Sequence, residues 1–285
     1  MQHQDGRQPD TPIAPSVADR EYGPVQEAQF IPGGRSVPMM NAFVWVADAW
    51  GLFKQKPVMW VVIWIGFMLV CTVFFNLSRH TSYSGVIMTF AQILFFAGVV
   101  NSCDVLRREG SFTFSDLFVA FKRKTNSLLT VGLINFGFGI ALAYIAIALI
   151  GGDAIREIFA DLQSLLFHIS SLTTVGITSR MMLLGAIIIV GTPIYTMAFW
   201  FTPALVLMHD IPLVKAIRMS FSACLKNILP GIILFSMMTI VIGISFIPFF
   251  LGLLGLLVMG MMSFMCNYTS YRDIFFTKIT SVLFG

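Results

Sequence analysis

Charge is scarce in this sequence. Only 11% of its 285 residues are Asp, Glu, Lys or Arg, less than half of the roughly 25% found in a soluble globular domain. With 57% apolar residues and a mean hydropathy of +0.84, the chain carries more apolar surface than a water-soluble fold of this size can hide. That excludes a soluble enzyme, a disordered regulator and a nucleic-acid binder. Cysteine is scarce too. Cys71, Cys103, Cys224 and Cys266 form no CxxC pair and stand beside no His at metal-ligand spacing, so they read as small apolar filler, with no disulfide framework, metal or cofactor expected. The histidines, His3, His80, His168 and His209, are scattered, and HExxH, GxSxG, GxGxxG and Walker patterns are all missing, so no catalytic residue is assigned and the chain is not expected to be an enzyme. A signal-peptide core is missing as well. Residues 1–38 are dominated by Pro, Gln, Asp and Gly and read as a disordered cytoplasmic tail, which leaves the first apolar helix to direct insertion.

What the chain has is long uncharged runs. A helix crossing a ~30 Å hydrocarbon core needs about 20 apolar residues. Runs at 58–77, 84–101, 127–150 and 181–208 qualify, the last with kinks expected at Thr192-Pro193 and Thr202-Pro203. No charged residue occurs between Lys226 and Arg272. That stretch is too long for one span and divides into 228–246 and 250–267, with the turn among Gly243, Pro248 and Gly252. The expected fold is all-α and integral to the membrane, with six spans in a domain of residues 39–285.

The basic residues orient it. One set of alternate segments holds Arg7, Arg20, Arg35, Lys54 and Lys56, then Arg107, Arg108, Lys122, Arg123 and Lys124, then Lys215, Arg218 and Lys226, then Arg272 and Lys278. Only Arg79, Arg156 and Arg180 fall in the other set. The positive-inside rule predicts both termini in the cytoplasm, which an even number of spans requires.

Three basic segments look alike. Each carries an apolar helical stripe running into a span: Phe43, Val46, Trp50 and Phe53; Phe114, Leu117, Phe118 and Phe121; Val214, Ile217, Phe221 and Leu225. Each therefore reads as an interfacial amphipathic helix followed by a helical hairpin, present three times. Two readings of the belts stand: anchoring by the positive-inside rule, and recognition of anionic lipid headgroups. In the second, the contacts would be Lys54, Lys56, Arg107, Arg108, Lys122, Arg123, Lys124, Lys215, Arg218 and Lys226. The outer loop carries another amphipathic stripe, predicted as a helix over 153–170.

No predicted span contains Asp, Glu, Lys, Arg or His, which weakens any proton- or sodium-coupled transport reading. A channel or facilitator for a neutral or amphipathic solute would need Gln92, Asn135, Tyr195 and Thr239 to line one path. A lipid enzyme would need the inner-side candidates Asp104, His209 and Asp210 to meet. Thr173-Thr174-Val175-Gly176 matches part of a potassium filter, but Ile177-Thr178 ends the pattern. The methionines of the last two spans read as adaptable packing rather than a copper(I) site.

The segments Val37-Pro38 with Trp45–Trp60, Arg107–Lys122 and Leu213–Phe221 resemble an uncharacterised family of bacterial inner-membrane proteins. They are similar to YciC-like proteins and to the membrane domain attached to some glycerophosphodiester phosphodiesterases, over about residues 37–275. The resemblance implies a bacterial inner membrane and an envelope role, without an active site. The function expected is non-catalytic binding of membrane lipids or of a partner protein, a second copy included. The channel or facilitator stands as the alternative.

Overall fold

The computed structural model describes residues 29–78, 84–158, 179–245 and 249–277, and they form a helical bundle. In chain order the helices are α1 (Asn41–Gln55), α2 (Pro57–Ser78), α3 (Ser84–Glu109), α4 (Phe114–Leu117), α5 (Val119–Arg123), α6 (Thr125–Ile150), α7 (Ser179–Phe199), α8 (Thr202–His209), α9 (Leu213–Lys226), α10 (Ile228–Ser245) and α11 (Phe249–Phe275). Among the described residues, four stretches are long and apolar enough to cross a membrane: Pro57–Leu77, Val86–Glu109, Thr125–Ile150 and Met182–His209. A fifth is reached if α9 and α10, bent by 84° at their junction, count together. The protein is a multi-pass membrane protein.

Helix α11 is the hub. It packs against α1, α2, α3 and α10, and Met261, Met262, Met265, Tyr268, Tyr271, Ile274 and Phe275 on it are buried. Its methionines fill the core. Beside them Trp64, Phe67, Phe95 and Phe264 interlock, Phe67 and Phe95 stacked at 3.9 Å. Such offset and edge contacts add to the apolar burial. Gly260 allows the close approach of α2, since a Cβ there would overlap the Trp64 ring.

Two helices outrun the predicted spans. α3 continues eight residues past 101 and α11 eight past 267; hydropathy reads these stretches as loop, but Asp104, Tyr268, Thr269, Ser270 and Asp273 find partners inside the protein. The fourth predicted run is divided differently from expectation. Pro193 is carried inside α7, and the chain breaks at Trp200-Phe201. Pro203 has no N–H to offer the preceding turn, so α7 ends and α8 restarts with Pro203 in its first turn. The freed groups are stitched elsewhere. Asn267 Nδ2 donates to Trp200 O at 2.5 Å, Phe201 N–H donates to Ser220 Oγ at 3.0 Å, and Ser220 Oγ donates to Met197 O at 2.8 Å.

Residues 29–38, expected as part of a disordered tail, instead strap the end of α11. Ile31 N–H donates to Phe275 O at 2.7 Å, Arg35 N–H to Ile274 O at 2.9 Å and Thr277 N–H to Gln29 O at 3.0 Å. The last carbonyls of a helix have no internal donors, and this segment supplies them. Residues 1–28 lie outside the described residues. So do 159–170 of the predicted outer helix, of which 153–158 is helical, the 173–178 motif, and 246–248 in the predicted turn.

Candidate functional site

Each of the three basic segments is helical and stops one residue before a long apolar helix. The breaks are at Lys56, Lys124 and Asn227. At the third, Asn227 holds the 84° elbow. Its Oδ1 accepts from Val37 N–H at 2.8 Å, and its Nδ2 donates to Arg35 O at 2.9 Å and to Ala223 O at 2.8 Å.

The faces these helices turn inward are not the predicted stripes. α1 packs on α11 and buries Ala42, Trp45, Ala49 and Leu52, and α9 buries Ala216, Met219, Ser220 and Ala223. Small residues allow backbones to approach closely. The predicted stripes mostly point away. Phe43 and Trp50 are 50% and 43% exposed, and Phe114 and Phe118 are each 49% exposed; Val214, Phe221 and Leu225 are exposed as well. Phe53 and Leu117 are buried in the core, and Val46 and Ile217 are half-buried against it. The inward row does the packing, and the aromatic row is left for another apolar medium.

The ten basic residues expected to contact headgroups divide into two groups. Nine are exposed and Lys124 is half-buried. Three are tied to protein partners. Lys124 pairs with Asp210, Lys226 Nζ donates to Gly33 O and Gly34 O at 3.1 and 3.3 Å, and Arg108 Nε meets Asp104 Oδ2 at 2.7 Å. Arg107 faces the Asp48 carboxyl, which desolvation pushes above the usual range, with Arg107 opposing and Asp273 adding to the rise. Lys54, Lys56, Lys122, Arg123, Lys215 and Arg218 stand exposed beside the outward aromatic and aliphatic rows.

Under this surface lie polar knots that sequence reasoning missed. The Asp273 carboxylate accepts from Arg35 Nη2 at 2.5 Å, Asn41 Nδ2 at 2.5 Å and Trp45 Nε1 at 2.9 Å. Asp104 accepts from the Tyr268 hydroxyl at 2.9 Å. His209 Nε2 and the Tyr271 hydroxyl are 2.5 Å apart, and Phe30 stacks on the His209 ring at 3.8 Å. Asp104 and His209 thus each meet an α11 tyrosine, whereas Asp210 turns to Lys124. The available signal was an acidic residue within four positions of an Arg near the end of each of the two helices that outran hydropathy, Asp104 with Arg107 and Arg108 and Asp273 with Arg272. Tyr268→Phe removes a donor to a buried carboxylate and is expected to cost about 1–3 kcal/mol, read as a lower unfolding temperature of the purified protein.

The four polar residues of a solute path do not converge. Asn135 Nδ2 donates to Tyr195 Oη at 2.7 Å between α6 and α7. Gln92 is exposed on α3. Thr239 turns its hydroxyl back to Phe235 O at 2.9 Å. All four cysteines are free thiols. No family model, curated protein or solved structure matches this chain.

Proposed function

We propose that this chain is a non-catalytic, six-span protein of the bacterial inner membrane, with both termini in the cytoplasm, that binds anionic lipid through its basic end. One observation carries the reading. The three basic segments at that end turn exposed aromatic and aliphatic residues outward, with exposed Lys and Arg beside them, while α1 and α9 are held to the bundle largely by small residues and the middle segment by Leu117. Helices in a membrane surface have this division, with apolar rows among acyl chains and cations among headgroups. The contact between Gln29 and Thr277 supports an even number of crossings, because chain ends that touch share a side. The right-angle elbow between α9 and α10 supports one unit of the threefold repeat, a surface helix leading into a span. The likeness to YciC-like proteins supports the inner membrane.

The test replaces exposed residues outside the pairs described above. Lys122→Ala, Arg123→Ala, Lys215→Ala and Arg218→Ala are combined, and the phosphatidylglycerol retained over phosphatidylcholine is counted after extraction from mixed bilayers. Each basic residue near an anionic surface contributes about 1 kcal/mol, so the preference is expected to fall about tenfold or more. An unchanged preference in a folded variant overturns the reading.

A further inference from the structure

Helices α7 and α10 face each other but are not packed together. Between them lies a cavity of about 740 Å³, inside the roughly 300–1,000 Å³ range of small-molecule sites. Thr196 and Trp200 stand on one wall and Gly231, Phe235 and Ile240 on the other. The floor is made by Trp45, Phe201, Asn227, Ser270 and Ile274, all of them buried.

The floor has no polar group to spare for a ligand. The Trp45 indole N–H donates to Asp273, both sides of the Asn227 amide are bonded, and Ser270 Oγ donates to Cys266 O at 2.7 Å. The lining is mostly apolar, with wall hydroxyls on Thr192, Thr196, Ser236 and Thr239 and no ionised side chain, which suits a hydrocarbon chain and disfavours a charged group. The length agrees. The cavity follows α10 from Ile228 to Ile240, about 18 Å at the helical rise, slightly more than one leaflet of a ~30 Å core. It starts at the α9–α10 elbow. Helices α9 and α10 contain no acidic residue, while α9 carries Lys215, Arg218 and Lys226. Lys226 stands at the elbow itself, and the Asp273 carboxylate behind Trp45 is paired with Arg35, so the charge left at the mouth is positive and complements an anion.

We infer that this cleft seats one acyl chain of an anionic phospholipid from the leaflet at the basic end, with the headgroup at the α9–α10 elbow. The inference rests on the lipid-binding reading above and deepens it by naming where the tail goes. The full-length protein would hold this lipid through detergent extraction, whereas lipid around the outer faces of α2 and α6 would exchange.

The test is Gly231→Phe. Gly231 lines the cleft and a Cβ there meets nothing within 4 Å, so the added side chain starts into open space. Phosphatidylglycerol bound to the intact protein is titrated by native mass spectrometry. The tightest site is expected to weaken at least tenfold in Gly231→Phe and to persist in a Gly137→Phe control, where the added Cβ is also open but lies on α6. Equal binding by Gly231→Phe and wild type overturns the cleft. A second measurement on the unmodified protein covers misfolding of the variant. Phosphatidylglycerol carrying a diazirine on its acyl chain should label 192–200 and 228–240 above 58–77. Uniform labelling overturns the proposal, as does labelling displaced by a second copy of the chain. The two readings fail separately. If phosphatidylcholine occupies the cleft as tightly as phosphatidylglycerol, the tail site stands and the headgroup assignment falls. If Gly231→Phe binds normally while the four-residue variant loses its preference, the cleft falls and the collar stands.

Discussion

Asp273→Ala is expected to loosen the whole basic end. Its carboxylate is the common acceptor for Arg35, Asn41 and Trp45, which come from the strap and from α1. Alanine removes one partner and leaves three donors. One of these is a guanidinium that also donates through Nε to the Asp273 carbonyl at 2.7 Å. Breaking a buried ion pair from one side costs about 3–5 kcal/mol. Asp273 and Arg35 keep some exposure, 14% and 29%, so about 3 kcal/mol is expected. The readout is specific to the strap. Trypsin should cut at Arg35 in the variant well before the bundle unfolds and spare it in the wild type. Asp273→Asn, which keeps one acceptor oxygen, should fall between them. Equal protection of Arg35 in wild type and Asp273→Ala would show that the knot does not hold the strap.

The second large effect is expected at Gly98. A Cβ on this α3 residue would fall inside the van der Waals shell of the Leu117 carbonyl oxygen. The obstacle is backbone, so no rotamer change relieves it. Overpacking costs about 1–3 kcal/mol when side chains can shift; here α4 and α5 must move as a body, and the upper end or more is expected for Gly98→Ala. The move would also break the bond from Asn101 Nδ2 to Asp116 O at 2.9 Å and displace Phe114 and Phe118 from the surface row. Gly137→Ala on α6, where the added carbon meets nothing within 4 Å, should be neutral or slightly stabilising, because alanine favours helix over glycine by about 1 kcal/mol. Matching unfolding temperatures for the two variants would refute the close contact.

Legibility divides along the same lines. Hydropathy located α2, α6 and α10 to within two residues at each end, because an uncharged run declares its own burial through side-chain transfer energy alone. The helix breaks before α2, α6 and α10 were legible too, as basic residues and a proline at the start of apolar runs. The inward faces of α1 and α9 were not. Phe43, Trp50 and Phe221 read as a membrane-facing stripe, but nothing marked Ala42, Ala49, Ala216 and Ala223 as the row that meets protein, since a hydrophobicity pattern weighs size where helix contact rewards smallness. Tyr268, Tyr271 and Asp273 looked like loop, since polarity reads as exposure unless the partner is known. The ten basic residues looked alike because a pattern of charge does not say which cations are already paired.

By itself, then, the amino-acid order determined that this chain belongs in a bilayer and where most of its long helices run, because partitioning between water and hydrocarbon is a property of each local segment. Only the tertiary structure decided which surface of each interfacial helix meets protein, which cations remain available, how residues 29–38 close over α11, and that α7 and α10 stand apart. Those depend on pairs of residues as much as 248 positions apart, from Gln29 to Thr277, and pairwise contact at that range leaves no mark on composition or periodicity.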